Sequence, residues 1–287
     1  MSIYDFGDLP DVEFDDWPDV EEEGFEYPRD SRVDAAKVAI TEIIESNKRE
    51  IFHIQQLEVL LEKTFFHWIT ARGINELLTE GRLGSEEEEL IGATKVKFVF
   101  HKSYRFHKTE VKRKIEIIRS YSETEFTRAC GMQAEVLFLN GLANRGFLPI
   151  GQETNEYKGK KWEESDHNLD FIIERDGLVY GAEVKNKLRY IDKDELELKL
   201  KMCKFLGLKP LFIMRYSPKT YNNMIIEEGG YAMIYECQIY PFGRRSMAER
   251  VKHELRLPVD SPRAIPEGII KRFEKWHSKQ KGVKKGK

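Results

Sequence analysis

Three cysteines in 287 residues, Cys130, Cys203 and Cys237, are too few and too scattered for a disulfide framework or a zinc knuckle. They are expected as buried free thiols. No apolar run approaches the roughly 18 residues needed to cross a bilayer. The opening MSIYDFGDLPDVEFDD has neither the basic start nor the apolar centre of a secretory signal. An intracellular, cytoplasmic location with no membrane partner is therefore expected. A glycine-rich phosphate loop is missing too, and so is any internal repeat.

What the chain has in abundance is charge. Charged residues make up 34% and apolar residues 40%, which fits a globular protein with an ionic surface. The net charge of -3 conceals an asymmetry. Residues 1–30 hold twelve acids and one base, giving -11, while the remainder carries +8. The tail KQKGVKKGK adds five lysines at the end. A basic body suits a polyanionic partner such as nucleic acid, although a solvated surface accounts for the same charge. The acidic arm, broken by Pro10, Pro18 and Pro28, reads as extended or disordered. Its aromatics Phe14, Trp17, Phe25 and Tyr27 suggest docking onto the basic body as a mimic of DNA.

Apolar periodicity divides the rest. Helices are predicted over 31–46, 54–63 and 67–80. Val33, Ala36, Val38, Ile40, Ile43 and Ile44 are expected to face inward on the first, and Trp68, Ile69, Ile74, Leu77 and Leu78 on the third. Residues 83–102 read as a β-hairpin with Val96, Phe98 and Phe100 alternating, and a helix at 108–120 leads out. Three short helices followed by a hairpin is the order of a winged helix. Beyond residue 121 the pattern changes to helix 124–145, strands 147–157, 168–174 and 178–186, helix 192–206, strand 210–216 and a strand within 231–241. This is a mixed α/β (α+β) sheet flanked by helices. The domains expected are the arm 1–30, a winged-helix-like domain 31–120, an α/β domain 121–258 and a C-terminal helix with a basic tail, 259–287.

The segment that carries chemistry is HNLDFIIERDGLVYGAEVKNK, residues 167–187. Asp176-Gly177 marks a tight reversal between two strands. The strand period of two places Gly181, Glu183 and Lys185 on one face, and Asp170 with Ile172 on one face of the partner. Two carboxylates and a lysine side by side suit a hard divalent cation and a water molecule. Lys185 would orient or deprotonate that water. His167 precedes the pair as a loop histidine, and Asn186 and Lys187 extend it towards a backbone phosphate. Other Glu-x-Lys spacings, at Glu110/Lys112, Glu156/Lys158 and Glu197/Lys199, fall in helices or a polar loop and read as solvated faces.

Asp170, then Glu183-Val184-Lys185 on the returning strand, resembles the active-site motif of the PD-(D/E)XK nuclease superfamily, which has the restriction-endonuclease-like fold. The proline usual before the aspartate is replaced by Leu169. The resemblance covers roughly residues 124–241. It implies a magnesium- or manganese-dependent DNA endonuclease, in which Asp170 and Glu183 hold the metal and Lys185 positions the attacking water. Many members add an acid from the preceding helix, and Glu135 fits that place. Met132, Val136, Leu139 and Ala143 are expected to form that helix's apolar stripe, with Glu135 on or beside it. A non-catalytic DNA-binding or regulatory protein on a nuclease-like scaffold is the alternative.

The first module supplies candidates for DNA contact. On its third helix, His67, Thr70, Arg72, Asn75 and Glu76 are polar, and Arg and Asn suit guanine and adenine edges. Lys95, Lys97, Lys102 and Arg105, interleaved with aromatics, suit phosphates. The acidic run Glu86 to Glu89 opposes them. His101 and His107 have no third ligand nearby, so zinc is not expected there. The resemblance implies a DNA partner, duplex or branched; since one active site cuts one strand, a homodimer is open, and the sequence does not fix the oligomeric state.

Overall fold

The computed structural model describes residues 31–90 and 94–282. The acidic arm and the end of the basic tail lie outside the described residues. The chain divides into two compact units. One runs up to Arg128 and takes in Glu249–Leu257. The other comprises Ala129–Ala248 and Pro258 onward.

The first unit begins with α1 (Ser31–Ser46), β1 (Ile51–His53), α2 (Ile54–Leu61) and α3 (His67–Thr79). The hairpin β2 (Leu83–Glu89) and β3 (Lys95–His101) follows, then α4 (His107–Ser122). Val33, Ala36, Ile40 and Ile44 recur at helical spacing and bury one face of α1 against Leu57 of α2 and Ile69, Ile74 and Leu77 of α3. Two expected core residues turn outward, Val38 at 59% exposure and Trp68 at 44%. Val38 sits two positions past Ala36, about 200° round the helix, so the stripe that buries Ala36 exposes it. His67 and Thr70, read as polar-face residues, are buried instead. The three-stranded antiparallel sheet has the order β1-β3-β2. β1 is too short for its alternation to be seen. It makes β3 the central strand, so Val99 is buried along with Val96, Phe98 and Phe100.

The second unit is built on a five-stranded mixed sheet. Its strands are β4 (Leu148–Thr154), β7 (Leu169–Arg175), β8 (Leu178–Lys185), β9 (Lys209–Met214) and β10 (Tyr231–Ile234), in the order β10-β9-β8-β7-β4. β4, β7 and β8 are antiparallel, whereas β8, β9 and β10 are parallel. Helix α6 (Lys193–Leu206) links β8 to β9, and α7 (Lys219–Glu227) links β9 to β10. These connections give the crossovers that parallel strands need. One face carries Phe171, Ile173, Tyr180, Ala182 and Val184 against α5 (Thr124–Ala143) and α9 (Glu267–Gly282). The other packs against α6 and α7. The C-terminal helix is thus no separate appendage: Ile269, Ile270 and Phe273 complete this core.

Between β4 and β7 the chain forms a small hairpin, β5 (Glu156–Tyr157) and β6 (Lys160–Lys161), where the sequence predicts a polar loop. Lys158 and Gly159 at its turn have φ of 50° and 77°. Asp176 and Gly177, between the paired Arg175 and Leu178, have φ of 57° and 74°. Paired positive φ values make a turn whose twist matches the flanking strands. Strands β11 (Gln238–Ile239) and β12 (Val259–Asp260) pair in parallel, and α8 (Arg245–Leu255) lies between them in sequence. Cys130 and Cys203 are buried free thiols, and Cys237 is half-buried. Among the described residues no helix is long and apolar enough to cross a membrane.

Candidate active site

The β7–β8 register places the chemistry. Phe171 pairs with Ala182, so one step further Asp170 lies across from Glu183. The Val184 amide donates to Asp170 Oδ2 at 2.6 Å and fixes that carboxyl against the returning strand. Glu183 is 2% exposed and is flanked by two lysines. Lys185 Nζ lies 2.8 Å from its Oε1, and Lys199 Nζ lies 2.7 Å from its Oε2. Lys185 also reaches Glu195 Oε1 at 2.7 Å. Lys199 donates a second bond to the Asn168 carbonyl. The result is a buried chain of alternating charge, Glu195–Lys185–Glu183–Lys199, with Asp170 beside it.

α6 reaches this chain because of Gly181. A Cβ there would stand 2.8 Å from Leu169 Cδ1 and 2.9 Å from Cys203 Sγ, so any larger residue would push those side chains aside where α6 meets β8. Glu195 and Lys199, one helical turn apart, then face the sheet. The Glu197/Lys199 spacing predicts a solvated face. The structure corrects this for Lys199, which is 4% exposed. Its ammonium meets the Glu183 carboxylate there.

The carboxyls divide by environment. Burial, reinforced by Glu183, pushes Asp170 well above the usual carboxylate range, against the pull of Lys185 and the Val184 amide. Glu135 is raised by burial, then by Glu153 and Glu183, with Lys185 opposing. This brings Glu135 into the same field from α5. Its helix is rotated from the expected setting. Met132 and Val136 are exposed at 58% and 53%, and the buried stripe is Ala134, Leu137, Phe138 and Leu142. Burial alone would lower Lys185, but Glu183, Glu195 and Asp170 outweigh it and hold the ammonium above its usual value. Burial alone would raise Glu195, yet Lys185, and after it Lys187 and Lys199, keep it below the usual range.

Glu153, Glu195 and Lys199 are the members that sequence reasoning missed. Glu153 falls across from Asp170 in the β4–β7 register, at a φ of 45°. Its signal lay in the register alone. His167 stays local, with Nδ1 3.2 Å from Ser165 Oγ. Asn186 is not a phosphate contact. It is fully buried, donates to the carbonyls of Cys130 and Ile239 at 2.8 and 2.7 Å, and accepts from Tyr235 Oη at 3.0 Å. Lys187, half-buried, follows it beside the centre.

In the first unit, Lys95, Lys102 and Arg105 are exposed. Lys97 is held by Glu87 at 3.0 Å, and Arg72 Nε lies 3.4 Å from Glu76 Oε1. Asn75 is half-buried on α3. His101 contacts Glu45, and His107 contacts Glu86 while stacking on Phe100.

Asp170, Glu183 and Glu135 are oxygen donors of the type that suits a hard divalent cation, and Asp170 and Glu135 are raised first by burial and then by neighbouring carboxylates. As the side chains lie, no group of three or more His, Cys, Asp or Glu among the described residues is arranged around one ion. Both Glu183 oxygens are engaged by lysines. Comparison of the chain with family models, with curated proteins and with solved structures gave no match.

Proposed function

We propose that this protein is a metal-dependent DNA endonuclease of the PD-(D/E)XK type, with a winged-helix-like module preceding the catalytic unit. The observation that carries the reading is the position of Asp170 on one strand of a hairpin, across from Glu183 and beside Lys185 on the next. Glu135 on the preceding helix, within the same electrostatic field, supports it. So does a mixed sheet covered by helices on both faces. For the first module, support comes from three helices followed by a hairpin.

In this reading Asp170 and Glu183 would hold magnesium or manganese, and Glu135 would support them. The ion supplies Lewis acidity towards a phosphate oxygen and lowers the pKa of a bound water. Lys185, kept charged by its acidic neighbours, donates hydrogen bonds to the attacking water and offsets phosphate charge. Glu195 holds the Lys185 ammonium in place. To hold a cation Glu183 would give up a lysine contact, and each lysine keeps another acceptor, the Asn168 carbonyl for Lys199 and Glu195 Oε1 for Lys185. Nicking of supercoiled plasmid with and without magnesium tests the activity: cleavage that needs the metal supports it, and none in either condition removes it.

One observation favours a second reading. With both Glu183 oxygens bound by lysines, the centre is also complete as a buried ion network. The protein would then be a DNA-binding or regulatory protein on a nuclease-like scaffold, and stability would be indifferent to magnesium.

A further inference from the structure

Beside the site lies an aromatic shelf that the chemistry above does not use. β8 and β9 are parallel neighbours, with Lys185 in register with Met214. The segments after their C-terminal ends therefore leave the sheet side by side, next to the candidate centre. The first carries Tyr190. The second carries Tyr216 and leads into α7, which carries Tyr221. The Tyr190 ring lies 6.2 Å from Tyr216 at an interplanar angle of 52°, and 5.8 Å from Tyr221 at 88°.

The two segments are fastened together. Arg215, 2% exposed, donates through Nε to the Lys187 carbonyl at 3.2 Å and through Nη2 to the Leu188 carbonyl. Its guanidinium carbon stands 5.7 Å from the Tyr216 ring centroid. All three tyrosines are half-buried, so none is lost to the core. Lys187 and the exposed Lys219 lie on the same segments. Fixed aromatic rings suit a base on a ring face. The charges acting on Tyr221 are the acids Asp192, Asp194 and Glu197, so the shelf is suited to take the base while the phosphates keep towards Lys187 and Lys219. A base inside a duplex already stacks on both neighbours. Only an unpaired base has a face to offer.

Resting on the nuclease reading, we propose that Tyr190, Tyr216 and Tyr221 form a stacking shelf for an unpaired nucleotide next to the scissile phosphate, so that the substrate carries a single-stranded segment at the cut.

The test is fluorescence anisotropy with labelled DNA in calcium, comparing a blunt duplex, the same duplex with a single-stranded overhang, and the single strand alone. Tyr190→Leu and Tyr216→Leu should each weaken binding of the overhang and single-strand probes by about tenfold, the scale of removing one base–ring stack. Duplex binding should hold. Tyr216→Phe keeps the ring and should bind as wild type, which separates the removal of stacking from a misfolded unit. Equal affinity of wild type and both leucine variants for every probe overturns the shelf, as does an equal loss on duplex and single strand. Separately, magnesium-dependent cleavage of the duplex by variants with unaltered binding would leave the nuclease reading standing without the shelf. Wild type that neither binds nor cuts any probe would overturn both.

Discussion

Lys199 on α6 forms a 2.7 Å ion pair with Glu183 on β8, and both side chains are almost wholly removed from solvent. Neither charge is tolerable there alone. Breaking a buried pair by deleting one partner costs about 3–5 kcal/mol, because the other is left uncompensated. Lys185 still bonds Glu183, so Lys199→Met should destabilise the protein by about 3 kcal/mol, the lower end of that range. Lys199→Met combined with Glu183→Gln should lose less than the sum of the two single changes. Urea unfolding of the four proteins reads this coupling, and strict additivity would contradict it.

Asp170 gives a stability effect with a definite sign. Its folded pKa lies well above the carboxylate value near 3.9 of an unfolded chain. The folded state therefore holds the proton more tightly. That contribution is complete below the unfolded pKa and is lost as pH rises through the window up to the raised folded value. Asp170→Asn mimics the protonated form and can still accept from the Val184 amide. In the presence of a chelator it should be more stable than wild type at about pH 7.5, with the difference closing towards about pH 4. Equal unfolding midpoints at both pH values would contradict this.

Gly181 makes the approach of α6 testable. The distances awaiting a Cβ are 2.8 and 2.9 Å, and both are to packed side chains, Leu169 and Cys203. Gly181→Ala should cost about 1–3 kcal/mol, as overpacking does. It should also slow any cleavage, because α6 carries Glu195 and Lys199. A variant with wild-type stability would mean that α6 shifts freely.

The centre is readable in the sequence only as far as local rules reach. Asp176-Gly177 fixes the reversal, and the strand period then brings Asp170, Glu183 and Lys185 together. Nothing local places Lys199 and Glu195 in that group, because their position depends on how α6 packs onto β8 across Gly181. Glu153 enters through cross-strand register. The setting of α5 escapes a reading by spacing because Met132 and Val136 share a helical spacing, yet the sheet takes Ala134, Phe138 and Leu142. The short β1, the polar α7 and the two-residue strands β5 and β6 carry too little apolar pattern to announce themselves.

For the first unit, the four bases Lys95, Lys97, Lys102 and Arg105 are no longer equivalent, since Glu87 already holds Lys97. Each side chain that stops neutralising a phosphate of duplex DNA should change the log–log salt slope by about 0.9. Replacing Lys95, Lys102 and Arg105 with Ala should flatten the slope by up to three such steps, and adding Lys97→Ala should change it little further. A slope untouched by the triple change would assign this unit to protein docking.

The central assignment turns on cleavage itself. Wild type, Asp170→Asn and Lys185→Ala should be compared on duplex, overhang and four-way DNA with magnesium or manganese, alongside calorimetric titration of the metal. Wild type should cut at least one form only when the metal is present. Asp170→Asn should lose both cleavage and metal binding while keeping its fold. Lys185→Ala should lose cleavage and keep metal binding, because a protonated lysine is no ligand. Equal cleavage by all three proteins, or none by wild type on any form, would contradict the account.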